Sequence, residues 1–182
     1  MKVIFLDNDG VICLSNNWGS RFKKQRREGY YLTNDESMPY YLRFDDFDQK
    51  SIRVLNKILL LTDAEIVVSS DWRLYATLEE LGEYYLSQGI VKKPIGFTNQ
   101  LQDCDQPSDF SWYPKFDLEQ SRSLEIKQWL KDNPSVTHWV AVDDLDMSLR
   151  EDWGLENFVL TPRKNEGIKQ FGVSDKIIKF LM

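Results

Sequence analysis

Residues 2–10, KVIFLDNDG, decide the fold. Four consecutive apolar side chains, Val3 to Leu6, stop at Asp7, and a second carboxylate follows at Asp9. A short apolar run without alternation is the pattern of a strand covered on both faces, as in a parallel sheet. Two further stretches repeat it: Glu65–Ser70 (EIVVSS) and Trp139–Asp144 (WVAVDD). Phe158–Thr161 (FVLT), stopped by Pro162, reads as a fourth strand. Ile90–Phe97 is a fifth, broken by Lys92, Lys93 and Pro94.

Helical spacing fills the gaps. Ile52, Leu55, Ile58 and Leu59 precede the second strand; Leu78, Leu81, Tyr85 and Leu86 follow it; Leu124, Ile126, Trp129 and Leu130 precede WVAVDD. Ser174–Met182 reads as a last short helix with Ser174 as N-cap. Alternating strands and helices predict a doubly wound, Rossmann-like α/β domain: a mostly parallel sheet with helices on both faces. Residues 14–47 are polar, aromatic and basic, and too long for a plain strand-to-helix connection. They are expected to form a small cap or flap over the site, inserted in a single domain spanning 1–182.

The bulk numbers narrow the function classes. A chain of 182 residues buries roughly 70% of its unfolded surface, enough for one proper core. Net charge is −6 and the pI near 4.9, which argues against gripping long nucleic acid by charge. The longest aliphatic run, Ile58–Leu61, is too short to cross a bilayer. Cys13 and Cys104 lack C-x-x-C spacing, so no zinc site is expected and free thiols in a reducing cytoplasm are.

In an open parallel sheet, ligands bind beyond the carboxyl ends of the strands. Here those ends carry Asp7, Asn8 and Asp9, then Ser69 and Ser70, then Asp143 and Asp144. Two carboxylates about 4 Å apart repel by roughly 4 kcal/mol at an effective dielectric of 20. A hard divalent cation offsets that, and Mg²⁺ prefers oxygen ligands. One carboxylate can then attack phosphorus and a second, two residues on, can act as general acid and base.

IFLDNDGVI resembles the first motif of the haloacid dehalogenase (HAD) superfamily, VVSSDWR the second and WVAVDD the fourth. SSDWR at 69–73, GFT at 96–98, RSLEIKQWL at 122–130, AVDDLDM at 141–147 and FVLTPRKNEGI at 158–168 are similar, in order and spacing, to the HAD-like domains of the Swiss-army-knife RNA repair group. The resemblance implies a Mg²⁺-dependent phosphatase working through an aspartyl-phosphate. It makes Asp7 nucleophile and metal ligand, and Asp9 general acid and base, with its backbone carbonyl a second ligand. Asp144, with Asp143 beside it, would complete the metal site. Ser70 or Ser69 would bond the phosphoryl group, with Ser70 favoured. Asn8 and Gly10 would contact substrate. The phosphate-holding cation is either Arg122, favoured by position, or Lys127, favoured by residue type. Arg73 is a further expected phosphate clamp, since its fork suits bidentate contact.

The run Arg21-Phe22-Lys23-Lys24-Gln25-Arg26-Arg27 puts five cations in seven residues. A solvated face is the default for such a run, but within the expected flap Lys23 and Lys24 would steer an anion inward. Trp18, Tyr30, Tyr31, Tyr40 and Tyr41 are expected to pack the flap, with stacking on a base as the alternative. Trp129 and Trp139 are expected in the core, and Asp146 as a solvated or capping residue. His138, the only histidine, has no serine or cysteine in register, which argues against Ser-His-Asp hydrolysis. The expected substrate is a phosphorylated small molecule or nucleic-acid end. A metal- and phosphate-binding module without turnover, or a small-metabolite phosphatase or phosphotransferase, are the rivals.

Overall fold

A computed structural model of the chain describes residues 1–30, 38–100, 117–148 and 152–182. Five strands form one parallel sheet: β1 (Lys2–Leu6), β2 (Glu65–Val68), β3 (Gly96–Phe97), β4 (His138–Asp143) and β5 (Phe158–Leu160), in the order β3-β2-β1-β4-β5. The order reverses between β1 and β4, the switch point where such sheets bind ligands. The expected fifth strand shrinks to Gly96–Phe97, because the Lys92, Lys93 and Pro94 stretch stays outside the ladder.

The described helices are α1 (Ser20–Arg27), α2 (Tyr40–Arg43), α3 (Gln49–Thr62), α4 (Leu78–Gln88), α5 (Leu118–Asp132) and α6 (Val173–Leu181). Their ends follow local chemistry. The Asp48 side chain accepts from Ser51 N–H to start α3, and Thr77 with Glu80 closes a capping box on α4. The Asp117 side chain caps α5. Ser174 is not the last helix's N-cap: Gly172 is, at a positive φ, and Ser174 lies one residue inside α6.

Alternate residues of β1 face opposite layers. Ile4 and Leu6 pack with Leu55 and Leu59 of α3, Tyr85 of α4 and Ile177 of α6. Val3 and Phe5 pack with Ile126 of α5, and the Phe5 ring meets Trp129 and Trp139 edge-on; both tryptophans are half-buried against this layer rather than inside the core. With both faces covered, β1 has no need of polar alternation. His138 opens β4 at the sheet end opposite the carboxylates, beside Thr137. Cys13 is a buried free thiol, and Cys104 and Tyr31 lie outside the described residues. No described helix is long and apolar enough to cross a membrane.

Candidate functional site

The ladder ends at a common level. Asp7 N–H donates to the Val142 carbonyl, Ser69 N–H to Leu6, and Thr161 N–H to Asp143. That registration brings oxygens of Asp7, Asp143 and Asp144 within 4.8 Å of one another. The turn after β1 makes it feasible. Gly10 has φ +71, and a Cβ there would lie 2.4 Å from Asp144 Oδ2, so only glycine admits that carboxylate. Thr161 fastens the turn by donating its hydroxyl to the Gly10 carbonyl.

Arg122 balances the cluster. It projects from the first turns of α5 and is buried, with Nη1 2.9 Å from Asp143 Oδ2 and 3.3 Å from Asp7 Oδ1. Its Nη2 lies 3.1 Å from Asp71. Burial works against the guanidinium charge, but Asp7 and Asp143 outweigh it and strengthen its hold on the proton. Asp7 is held well above the usual carboxylate range by burial first and the Asp143 charge second, with Arg122 opposing. Burial likewise pushes Asp143 up to about 6, against the pull of Arg122. Asp143 already receives Arg122 and the Leu145 N–H on its two oxygens. Asp7 and Asp144 are therefore the carboxylates freer to hold a metal ion. Asp144 is met from the solvent side by Lys164 Nζ at 2.9 Å.

Asp9 stands apart from the three-carboxylate cluster. Its Oδ2 accepts from Trp72 Nε1 at 2.8 Å. Burial raises its pKa and the Trp72 bond works the other way. A partly buried carboxyl that titrates above its usual range beside a nucleophile candidate suits proton transfer.

Ser69 and Ser70 are both buried without a hydrogen-bond partner at Oγ. Of the two, Ser70 lines the cavity with Asp7. The cavity over the cluster measures about 530 Å³. Asp7, Asp9, Ser70, Arg122 and Asp144 line it together.

Four expectations need correction. Lys127 is exposed and not among the lining residues; five positions past Arg122 it points about 140° round α5, so Arg122 is the cation at the cluster. Arg73 does not line the cavity: its side chain is buried, with Nη2 2.8 Å from Glu125 and Nη1 bonded to Thr98. Lys24 is tied to Asp46 at 2.8 Å beside Tyr84, and exposed Lys23 does not reach the cavity; Arg21 lines it instead. The Asn8 side chain is fully buried and accepts from Tyr85 OH at 2.6 Å, its backbone carbonyl accepts from Ile12 and Cys13 N–H in the turn, and it is not among the residues lining the cavity.

Within 14–47, Gln25 ties α1 to α2 by donating to the Leu42 carbonyl, and Lys24 and Asp45 meet Tyr84 of α4. Trp18 does not pack: it is 47% exposed and lines the cavity. Tyr41 bonds Glu28 at the surface. Asp146 is exposed and accepts from Ser148 N–H, the expected local role.

Sequence reasoning had no role for Lys164, Asp71 or Asp45 at the site, nor for the Trp72 bond to Asp9. Lys164 carried one available signal: it follows the FVLT strand end, at the same sheet edge as the carboxylates.

A family model described as the HAD domain in Swiss Army Knife RNA repair proteins matches residues 3–171. Among the curated proteins and the solved structures compared with the chain, nothing matches.

Proposed function

The chain belongs to the HAD domains of the Swiss Army Knife RNA repair proteins, and from that membership we propose that it is a Mg²⁺-dependent phosphomonoester hydrolase acting on phosphorylated nucleic-acid or nucleotide ends. The single observation that carries the reading is the buried convergence of Asp7, Asp143 and Asp144, with Asp9 beside them. Three features favour a cation there: hard oxygen donors only, the Gly10 cradle that a Cβ would fill, and the unpartnered Ser70 hydroxyl. Asp7 and Asp144 would hold the ion, with Asp143 steadying the site through Arg122. When bound, Mg²⁺ neutralises the cluster and draws charge off the phosphoryl oxygens.

The chain's own residues then divide the work. Asp7 attacks phosphorus and the P–O bond to the leaving group breaks, giving an aspartyl-phosphate. Asp9, protonated within its raised range, delivers that proton to the leaving oxygen. It next takes a proton from the water that attacks phosphorus, which frees phosphate and regenerates Asp7. Trp72 fixes the Asp9 carboxyl throughout. Arg122 holds Asp7 in its attacking orientation, and Ser70 donates to a phosphoryl oxygen. Trp18, Gly19, Arg21, Phe22 and Asp45, from the 14–47 segment, wall the cavity as a small cap.

The test is phosphate release from 3′- and 5′-phosphorylated oligonucleotides and from a sugar phosphate, with Mg²⁺ or chelator, for wild type and Asp7→Asn. Mg²⁺-dependent release lost in Asp7→Asn supports the reading. Equal rates for the two proteins overturn it.

A further inference from the structure

We propose that Trp18 and Phe22 form a stacking platform for the terminal base of a single-stranded phosphorylated nucleic acid, with Arg21 beside it for the backbone. This rests on the phosphatase reading and names how that site selects its substrate.

A cavity of about 530 Å³ is far larger than a phosphoryl group, so part of its wall must meet the rest of the substrate. That wall includes Trp18 and Phe22, 47% and 45% exposed. Other aromatics nearby are used differently: Phe44, Phe47 and Trp72 stack on one another in the interior. Gly19 lies between the two exposed rings in the chain. Its φ of +83 turns the backbone from the 3₁₀ turn Ser15–Asn17 into α1 and keeps both rings on the cavity side.

The platform is held in place. Asn17 donates to the Asp46 carbonyl at 2.9 Å, and Asp45 accepts the Arg21 N–H at 2.7 Å and the Ser20 hydroxyl at 3.3 Å. Its distance from the chemistry is spanned by one side chain. Lys164 Nζ lies 6.0 Å from the Trp18 ring centroid and 2.9 Å from Asp144 Oδ2. A base on Trp18 and a phosphate over Asp7 thus fit one terminal nucleotide. The Arg21 guanidinium sits 4.8 Å from the Phe22 centroid, a cation against the ring face that also suits a neighbouring phosphodiester. Stacking on an aromatic ring tightens binding about tenfold or more per base and tolerates every base. The net charge of −6 argues against holding a long duplex by charge, which favours an end.

The test uses Asp7→Asn with Mg²⁺ as a non-turnover binder, titrated with adenosine 3′-monophosphate, adenosine 5′-monophosphate and ribose 5-phosphate. At least one adenosine phosphate is expected to bind about tenfold or more tighter than ribose 5-phosphate. Adding Trp18→Ala should erase most of that preference, and Phe22→Ala part of it. Adding Trp18→Phe should keep the preference but lose the tryptophan fluorescence quenched by the base, which a merely structural role would not do. Equal affinities for all three ligands, or a preference indifferent to Trp18→Ala, overturn the proposal. Failures separate cleanly. A wild type that binds adenosine phosphates through Trp18 but releases no phosphate defeats the hydrolase reading alone. One that cleaves adenosine and ribose phosphates with equal kcat/KM defeats the platform alone.

Discussion

Gly10→Ala separates backbone strain from damage to the carboxylate cluster. At φ +71 an L-residue costs about 1–2 kcal/mol relative to glycine. Gly29, in the exposed turn after α1, has φ +83 and nothing within 4 Å of where a Cβ would stand, so Gly29→Ala reports that cost by itself. At Gly10 the new Cβ also meets Asp144, at 2.4 Å from Oδ2 and 2.7 Å from Cγ. Ordinary contact begins at 3.4 Å, so the carboxylate must withdraw from its position beside Asp7. Losing the support of a metal ligand typically lowers affinity about 10–100-fold, and displacing the ligand itself should do at least that. Urea unfolding in chelator is expected to show a loss of about 1–2 kcal/mol for both variants. Calorimetric Mg²⁺ titration is expected to show weakening by about tenfold or more for Gly10→Ala only. If Gly10→Ala bound Mg²⁺ like wild type, the crowding of Asp144 against the turn would play no part in the site.

Stability without metal should fall as pH rises. Asp143 goes from an ordinary 3.8 to about 6 and Asp7 moves the same way, so the folded state binds more protons than the unfolded one between about pH 4 and 6. Stability should fall as the pair loses its protons, so a melting point in chelator should be higher at about pH 5 than at about 7.5, with Mg²⁺ stabilising more at the higher pH; the reverse order would contradict it. Trp72→Phe deletes a bond that favours ionised Asp9, so the pH–rate profile should move up with lower kcat, and an unmoved profile would count against Asp9 as the proton donor. Arg122→Lys should cut kcat/KM by about tenfold or more, because one ammonium cannot meet Asp7, Asp143 and Asp71 together, whereas Lys127→Ala should alter stability by less than about 0.5 kcal/mol in urea unfolding.

Much of the fold was legible because it depends on local pattern. The unbroken apolar runs at Val3–Leu6 and Ile66–Val68 can only be strands covered twice, and each ends where its polar residues begin. The convergence of Asp7, Ser70 and Asp144 follows from strand order, so it too was readable once the strands were parallel neighbours. Charged partners were not. Arg73 and Arg122 are both arginines near motif serines or acids, yet α5 gives Glu125 to one and points the other at Asp143. That choice is made by helix phase and packing across the sheet, which spacing along the chain does not encode. Lys164 and Asp144 meet across a strand crossover, and Trp18 is turned to the cavity by the glycine at the N-cap of α1.

The most direct measurement of the central claim is chemical trapping at Asp7. Wild type would be mixed with a phosphorylated oligonucleotide and Mg²⁺, quenched in acid during turnover, and mapped by peptide mass spectrometry. The account predicts a hydroxylamine-labile phosphate on the peptide carrying Asp7, present only with Mg²⁺ and missing in Asp7→Asn. Turnover without any such adduct, or persisting in Asp7→Asn, would contradict it.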